Sequence, residues 1–285
     1  MAMYSWGVGE RSVIDQRATD SLGGLRVERH GAVATLVIDN PRRRNAVSKD
    51  MWSQFAPLLY SLEHDDSVRV VVVRGAGENF SAGADISDLR AILHDTESGR
   101  HDGGHVSAGE NALATFPKPT IAAIDGYCVG GGWQIAGACD LRMASDRAKF
   151  AITPSKIGIV YPTSGIERLV HLVGPGVAKQ LLFSADFIDA AEAKNVGLVG
   201  RVLPVAGFWD EVQNYAQHLA GRSALSIQAM KAIVDSIATG SSDLPQINDY
   251  WQKQMAIAND PATGISAFLN KQTPSFTWNH VVEVD

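Results

Sequence analysis

Apolar and polar positions along the chain follow two periods, one typical of buried strands and one typical of amphipathic helices. Apolar, β-branched runs predict strands at residues 25–28, 32–38, 68–73, Thr120–Ile124 and 141–144. Apolar residues at helical spacing predict helices at Lys49–Glu63 and at residues 133–138, 209–220, 226–237, 243–259 and 260–271. Because strands and helices alternate first and only helices follow, the pattern predicts an α/β core domain at 23–203 and a C-terminal helical region at 204–285. Residues 1–22 are mixed and polar, which predicts a flexible tail.

One stretch interrupts this pattern. Residues 94–110 are rich in glycine, histidine and acidic residues, and they predict a mobile loop. The three histidines His94, His101 and His105 are loosely spaced, so we predict solvated loop histidines and no metal site.

Composition and charge narrow the class of protein. The 285 residues are 45% hydrophobic and 20% charged, with a net charge of −6, which fits a soluble globular protein and argues against a nucleic-acid partner. No apolar run approaches the roughly 20 residues that span a bilayer, and the N-terminus lacks a signal-peptide layout. Cys128 and Cys139 lie in apolar segments, so we expect a buried, reduced pair in a cytoplasmic protein without a membrane partner.

A glycine-rich turn carries the first candidate chemistry. The strand Thr120–Ile124 is followed by Gly126, the triplet at 130–132 and a short apolar helix. Glycines at such a turn let backbone N–H groups approach a ligand, and the start of a helix adds partial positive charge. The sequence therefore predicts a site that holds an oxyanion.

These motifs resemble the signature of the crotonase (enoyl-CoA hydratase/isomerase) superfamily. The residues that carry the resemblance are Pro119, Gly126, Gly130, Gly131, Gly132, Cys139, Asp140, Arg168, Leu169, Gly174 and residues 197–199, together with the upstream loop 80–86. The resemblance implies a spiral of repeated ββα units, trimers or dimers of trimers, and an acyl-CoA substrate. CoA is then part of the substrate, no separate cofactor is expected, and residues 94–110 form a mobile cover.

The resemblance also implies roles for individual residues. The backbone N–H groups of Ala84 and Gly131 match the two donors that bind a thioester oxygen. The residues that match CoA-contacting positions are Ala82, Asp85 and Ile86, which match the loop lining an adenine pocket, and Lys271, which matches a lysine that reaches a CoA phosphate. Arg42 and Arg44, on either side of Arg43, offer further cations for phosphates, unless they are plain solvated charges.

Two expected carboxylates are missing. Hydratases of this family carry one glutamate a helical turn beyond the oxyanion glycine and another after the next strand; here the matching residues are Gln134 and Ser155. An amide and a hydroxyl do not supply paired acid–base catalysis at neutral pH. Glu167 follows, but its position favours the start of a helix over a catalytic role.

A second resemblance favours a different reaction. Residues 153–161 and 267–271 resemble the methylmalonyl-CoA decarboxylase branch, in which a tyrosine at the position of Tyr161 orients the substrate carboxylate. Members of that branch often carry histidine where this chain has Ala84. Trp133 would form an apolar wall of the pocket or belong to the core.

The hypothesis is decarboxylation of a short alkylmalonyl-CoA through a thioester enolate, which needs no carboxylate base. The alternatives are a hydratase or isomerase with an atypical base, including one from residues 94–110, and a non-catalytic CoA-binding subunit.

Overall fold

The computed structural model describes residues 23–89 and 104–278. The strands in this part of the chain are β1 (Gly24–His30), β2 (Val33–Asp39), β3 (Val70–Gly75), β4 (Thr120–Ile124), β5 (Tyr127–Val129), β6 (Leu141–Ser145), β7 (Lys149–Ala151), β8 (Ile188–Asp189) and β9 (Arg201–Leu203). The helices are α1 (Lys49–Glu63), α2 (Gly104–Ala114), α3 (Gly131–Ala138), α4 (Thr163–Ser184), α5 (Ala190–Asn195), α6 (Phe208–Ala220), α7 (Ala224–Thr239), α8 (Leu244–Ile257) and α9 (Asp260–Leu269). Short 3-10 helices lie at Pro41–Arg43 and Pro154–Ile157.

Two sheets organise the core. The larger has the strand order β1-β2-β3-β4-β6-β9, in which β1 pairs antiparallel with β2 and the other pairs are parallel. The smaller has the order β5-β7-β8, with β5 and β7 parallel. Parallel strands end at the same edge of the sheet, so the loops that follow β3 and β4 meet there. The predicted α/β class is confirmed.

Apolar side chains fill both faces of the larger sheet. One face packs against α1 to α4 through residues such as Leu36, Trp52 and Val73. The other face packs against α6 through Val70, Ile121 and other residues. Because β3 and β4 are covered on both sides, their sequences are almost continuously apolar. The predicted burial of Cys128 and Cys139 as free thiols is confirmed.

The loop prediction for residues 94–110 is wrong for its second half. Residues 104–110 belong to α2, whereas the first part, including His94 and His101, lies outside the described residues. The glycines that suggested a loop instead allow close packing of helices. A Cβ on Gly109 would lie 3.1 Å from Phe55 Cβ and 3.4 Å from Trp52 Cε3, so glycine lets α2 approach α1.

The C-terminal region is helical, as predicted, with α6 to α9 at the expected places. Large apolar side chains are exposed on it, among them Ile237, Ile257 and Phe268. Such surfaces are typical of subunit contacts, but the predicted trimer stays a prediction. The tail at residues 1–22 lies outside the described residues, and the domain boundaries also stay predictions. Among the helices that the structure describes, none is both long and apolar enough to cross a membrane.

Candidate active site

The loop after β3 is fixed by buried polar contacts. The fully buried Asn45 side chain donates hydrogen bonds to the carbonyl oxygens of Ala76 and Asn79 at 2.8 and 2.7 Å. The Ser81 hydroxyl donates to the Asn45 carbonyl at 2.7 Å. These bonds satisfy backbone groups that the loop would otherwise bury unpaired, and they hold the segment that leads to Ala84.

Backbone hydrogen bonds join this loop to the glycine-rich turn. Ser81 N–H donates to the Tyr127 carbonyl, and Val129 N–H donates to the Ser81 carbonyl, both at 2.9 Å. Gly130 then has a φ of +51°, a conformation that favours glycine. The chain therefore turns directly from β5 into α3, whose first residue is Gly131.

The N–H groups of Ala84 and Gly131 lie side by side. A Cβ built on Gly131 would lie 3.0 Å from Ala84 N, and one built on Gly83 would lie 3.1 Å from Gly131 N. Neighbouring groups are paired within the loops, because Val47 N–H donates to Gly83 O and Asp85 N–H donates to Val47 O. Among the described residues, neither the Ala84 N–H nor the Gly131 N–H donates to a backbone carbonyl. Two such donors, of which Gly131 N–H is at the start of a helix, suit an oxygen on which negative charge develops.

A buried carboxylate, that of Glu110, contacts α3 one helical turn after Gly131. Gln134 Nε2 donates to Glu110 Oε2 at 3.1 Å, and Ser164 Oγ donates to the same oxygen at 3.1 Å. The Arg168 guanidinium donates to Glu110 Oε1. The Glu110 side chain has no solvent exposure. Side chains from α2, α3 and α4 thus converge on Glu110, a residue that the sequence placed in a loop.

The charge state of Glu110 reflects two opposing effects. Burial raises the pKa of Glu110 above 4.5, and the nearby Arg168 cation partly opposes this rise. A carboxyl whose pKa lies closer to neutrality is better suited to take up and return a proton. A carboxylate offers about four lone-pair positions, and the hydrogen bonds above use three of them, so one position is left for a further donor.

Tyr161 supports the oxyanion turn. Its buried hydroxyl donates a hydrogen bond to the Gly130 carbonyl at 2.8 Å. Burial, with a contribution from Glu110, raises the pKa of Tyr161 well above 10, so the phenol stays neutral. Because a phenol has one hydrogen to donate, this bond competes with the predicted contact to a substrate carboxylate, which stays a prediction.

Comparison with known proteins agrees with this geometry. The family model described as enoyl-CoA hydratase/isomerase matches residues 28–279. The chain belongs to this family.

Relatives of the family share most of the chain. A short-chain-enoyl-CoA hydratase of Clostridium acetobutylicum is 34% identical and covers 75% of this chain and 82% of its own length. A peroxisomal Δ(3,5)-Δ(2,4)-dienoyl-CoA isomerase of Arabidopsis thaliana is 31% identical over 88% of this chain and 95% of its own. A crystal structure of an enoyl-CoA hydratase/isomerase family member is 40% identical, with a TM-score of 0.87 over 93% of this chain and 100% of that one. The predicted crotonase fold is confirmed, whereas the names of these relatives do not include the predicted decarboxylase branch.

The predicted CoA-contacting residues other than Lys271 lie in or before the loop that follows β3. Arg42 and Arg44 are exposed, and the Arg44 guanidinium lies 5.1 Å from the centroid of the Tyr127 ring. Asp85 is buried, accepts hydrogen bonds from Ser87 and Arg43, and its pKa is lowered by these bonds despite burial. The same loop contains the half-buried Ala82 and the exposed Ile86. Their CoA contacts stay predictions.

Three predicted residues lie away from the Glu110 cluster. Ser155 is exposed, and its hydroxyl lies 3.5 Å from the Phe183 carbonyl. Trp133 is buried beside Phe150, and its role as an apolar wall of the acyl pocket stays a prediction. Lys271 is exposed near the C-terminal segment.

The segment that follows Lys271 contacts the end of the large sheet opposite the site. Phe276, five residues later, accepts a hydrogen bond through its carbonyl from Arg69 at 3.1 Å. Arg69 directly precedes β3, whereas the two loops of the site follow the other ends of β3 and β4. The contact of Lys271 with CoA stays a prediction.

Glu110 is the residue that the sequence analysis missed. Val106, Glu110 and Leu113 are spaced as one face of a helix, and all three are buried. This spacing was visible in the sequence, but Gly103, Gly104 and Gly109 argued for a loop. Within the described residues, no group of three or more metal-ligating side chains is found.

Proposed function

We propose that this chain acts on an acyl-CoA thioester and stabilises its enolate oxygen with the N–H groups of Ala84 and Gly131. The observation that carries the proposal is the pair of adjacent donors held by two bridged loops. Membership of the enoyl-CoA hydratase/isomerase family supports it. Losing one donor from such a hole typically reduces transition-state stabilisation by about 3–4 kcal/mol.

Glu110 is the proposed proton-transfer group. It is the carboxylate in contact with Gln134, the residue at the position of the first hydratase glutamate. Its raised pKa and its remaining lone-pair position fit a base that accepts a proton and then returns it. The hydrogen bonds from Gln134 and Arg168 would hold the carboxylate in place during both steps.

A single carboxylate favours double-bond isomerisation over hydration. In isomerisation, Glu110 would remove an α-proton from a β,γ-unsaturated thioester, and the electron pair of the C–H bond would move to the thioester oxygen as the enolate forms. The same carboxylic acid would then protonate the γ-carbon, so the proton is conserved. Hydration also needs a group that activates water, and the second matching position holds Ser155, which is exposed.

Decarboxylation is the second candidate. Gln134 is uncharged, so this position does not repel a substrate carboxylate, and loss of CO₂ would leave the same enolate in the same hole. Glu110, however, brings a carboxylate close to Gln134. We therefore place isomerisation first.

A substrate panel tests these proposals. Purified protein would be offered 3-hexenoyl-CoA, crotonyl-CoA and methylmalonyl-CoA, while double-bond migration, hydration and CO₂ release are followed. We expect isomerisation of 3-hexenoyl-CoA, and a fall of about 10²–10⁴-fold in kcat for Glu110→Gln. The matched control is Glu167→Gln, which changes an exposed glutamate on α4 and should leave kcat unchanged.

The outcomes separate the candidates. CO₂ release without isomerisation would favour decarboxylation. Unchanged turnover in Glu110→Gln would show that Glu110 has only a structural role, as the ion-pair partner of Arg168. Binding of acyl-CoA without any turnover would favour the non-catalytic subunit. We also propose a cytoplasmic location and a trimeric assembly, which the substrate panel does not measure.

A further inference from the structure

Two buried hydrogen-bond donors border the proposed acyl site without a partner among the described residues. They are Trp52 Nε1 on α1 and Ser107 Oγ on α2. Trp52 is 1% exposed and Ser107 is 5% exposed. Native proteins rarely leave such groups unpaired, and each instance calls for an explanation. A ligand that accepts hydrogen bonds is one explanation.

Trp52 lies between the oxyanion turn and α2. Its Cζ2 lies 3.1 Å from the position that a Cβ on Gly131 would take. Its Cε3 lies 3.4 Å from the corresponding position on Gly109. The indole nitrogen is two bonds from Cζ2, so it belongs to the edge of the ring near Gly131. The unpaired N–H is therefore close to the proposed thioester oxygen site.

Ser107 lies on α2 near Glu110. It precedes Glu110 by three residues, and residues at this spacing share one face of a helix. Glu110 contacts Gln134 from that face. The unpaired hydroxyl thus lies one turn from the proposed proton-transfer group.

We propose that Trp52 and Ser107 donate hydrogen bonds to acceptor oxygens of the acyl group. An acyl-CoA with a carbonyl or carboxylate oxygen beyond the thioester should then bind more tightly than a hydrocarbon thioester such as 3-hexenoyl-CoA. A hydrocarbon chain would leave both donors unpaired, and an unpaired buried donor weakens binding relative to one that meets an acceptor. This inference rests on the proposed action on acyl-CoA thioesters.

Binding of three four-carbon thioesters tests the inference without requiring turnover. Calorimetry would compare butyryl-CoA, acetoacetyl-CoA and succinyl-CoA, of which the last two carry a carbonyl and a carboxylate oxygen. We expect at least one of these two to bind about tenfold more tightly than butyryl-CoA. Trp52→Phe and Ser107→Ala should each reduce this preference several-fold while changing butyryl-CoA affinity less than about twofold.

Ser236→Ala is the matched control, because Ser236 on α7 also has a buried hydroxyl without a partner among the described residues. It should leave the preference unchanged. Ser107→Ala removes an unpaired group and should keep the melting temperature, so the test holds even if Trp52→Phe fails to fold. Equal binding of all three thioesters, or a preference that Ser107→Ala leaves intact, would overturn the inference alone. Failure to bind any of them would overturn the acyl-CoA proposal as well.

Discussion

Arg168→Met would remove the cation that compensates the charge of Glu110. The Glu110 carboxylate has no solvent exposure, and the Arg168 side chain is 23% exposed, so water screens the pair weakly. Removing one partner of a buried ion pair typically costs about 3–5 kcal/mol, because the other charge stays buried and uncompensated. Gln134 and Ser164 still donate to the carboxylate, but neither carries a charge. We therefore expect the variant to lose about 3–5 kcal/mol of unfolding free energy at pH 8.

The loss should depend on pH in a defined direction. Burial raises the pKa of Glu110 above 4.5 in the native protein, and loss of Arg168 would raise it further. A carboxyl with a higher pKa in the folded chain binds more protons when folded at pH values between the two pKa values. Its contribution to stability is complete below the unfolded pKa and is lost as pH rises through the folded pKa. The cost of Arg168→Met should thus be small near pH 4.5 and full at pH 8.

Urea unfolding at both pH values would measure the effect. Lys253→Met is the control, because Lys253 pairs with Asp249 at the surface, where both side chains are more than half exposed. That pair should contribute about 0.3–0.5 kcal/mol at most. The double variant Arg168→Met with Glu110→Gln should recover most of the loss, since no buried charge remains. A cost below about 1 kcal/mol at pH 8, or one that is independent of pH, would refute the reasoning.

Two further variants test the oxyanion turn. Gly131→Ala should lower kcat about 10²–10³-fold, because the new Cβ would lie 3.0 Å from Ala84 N. Gly176→Ala is the control and should leave kcat unchanged, because a Cβ there meets nothing within 4 Å. Equal kcat values in the two variants would contradict the assigned donors. Tyr161→Phe should lower the unfolding free energy by about 0.5–1.5 kcal/mol, because the Gly130 carbonyl loses one of two donors and keeps the Gln134 N–H at 3.2 Å. It should also lower kcat, whereas Tyr60→Phe on the surface should change neither quantity in denaturation and turnover assays.

Local sequence signals predicted much of the fold. The helix Lys49–Glu63 was predicted to start at Ser48 or Lys49 and to end near Glu63, because Ser48 can cap it and its apolar residues share one face. The strand Thr120–Ile124 was predicted equally well, since it is apolar throughout and glycines follow it. Of α4 the sequence analysis predicted only a start at Glu167, whereas the helix begins at Thr163 and is kinked at Gly174, which has a φ of +74°.

The candidate site was predictable only where it consists of backbone. Glycines mark close approach of a main chain, so the turn at Gly131 could be recognised from local sequence. Glu110 could not be assigned in this way, because its partners Gln134, Ser164 and Arg168 are 24 to 58 residues away in the chain. Contacts of that kind depend on how three helices pack. A glycine such as Gly109, which permits this packing, is indistinguishable from a loop glycine in the sequence.

The contact between Gln134 and Glu110 explains why the usual glutamate is absent from α3. A glutamate at position 134 would place a second carboxylate about 3 Å from Glu110, judged by the 3.1 Å hydrogen bond that the amide makes there. Two carboxylates at this distance do not both ionise, and one would retain a proton. An amide avoids the conflict, because its N–H donates to Glu110 and its oxygen stays uncharged. In this chain the proposed proton-transfer carboxylate therefore lies on α2, and the amide on α3 orients it.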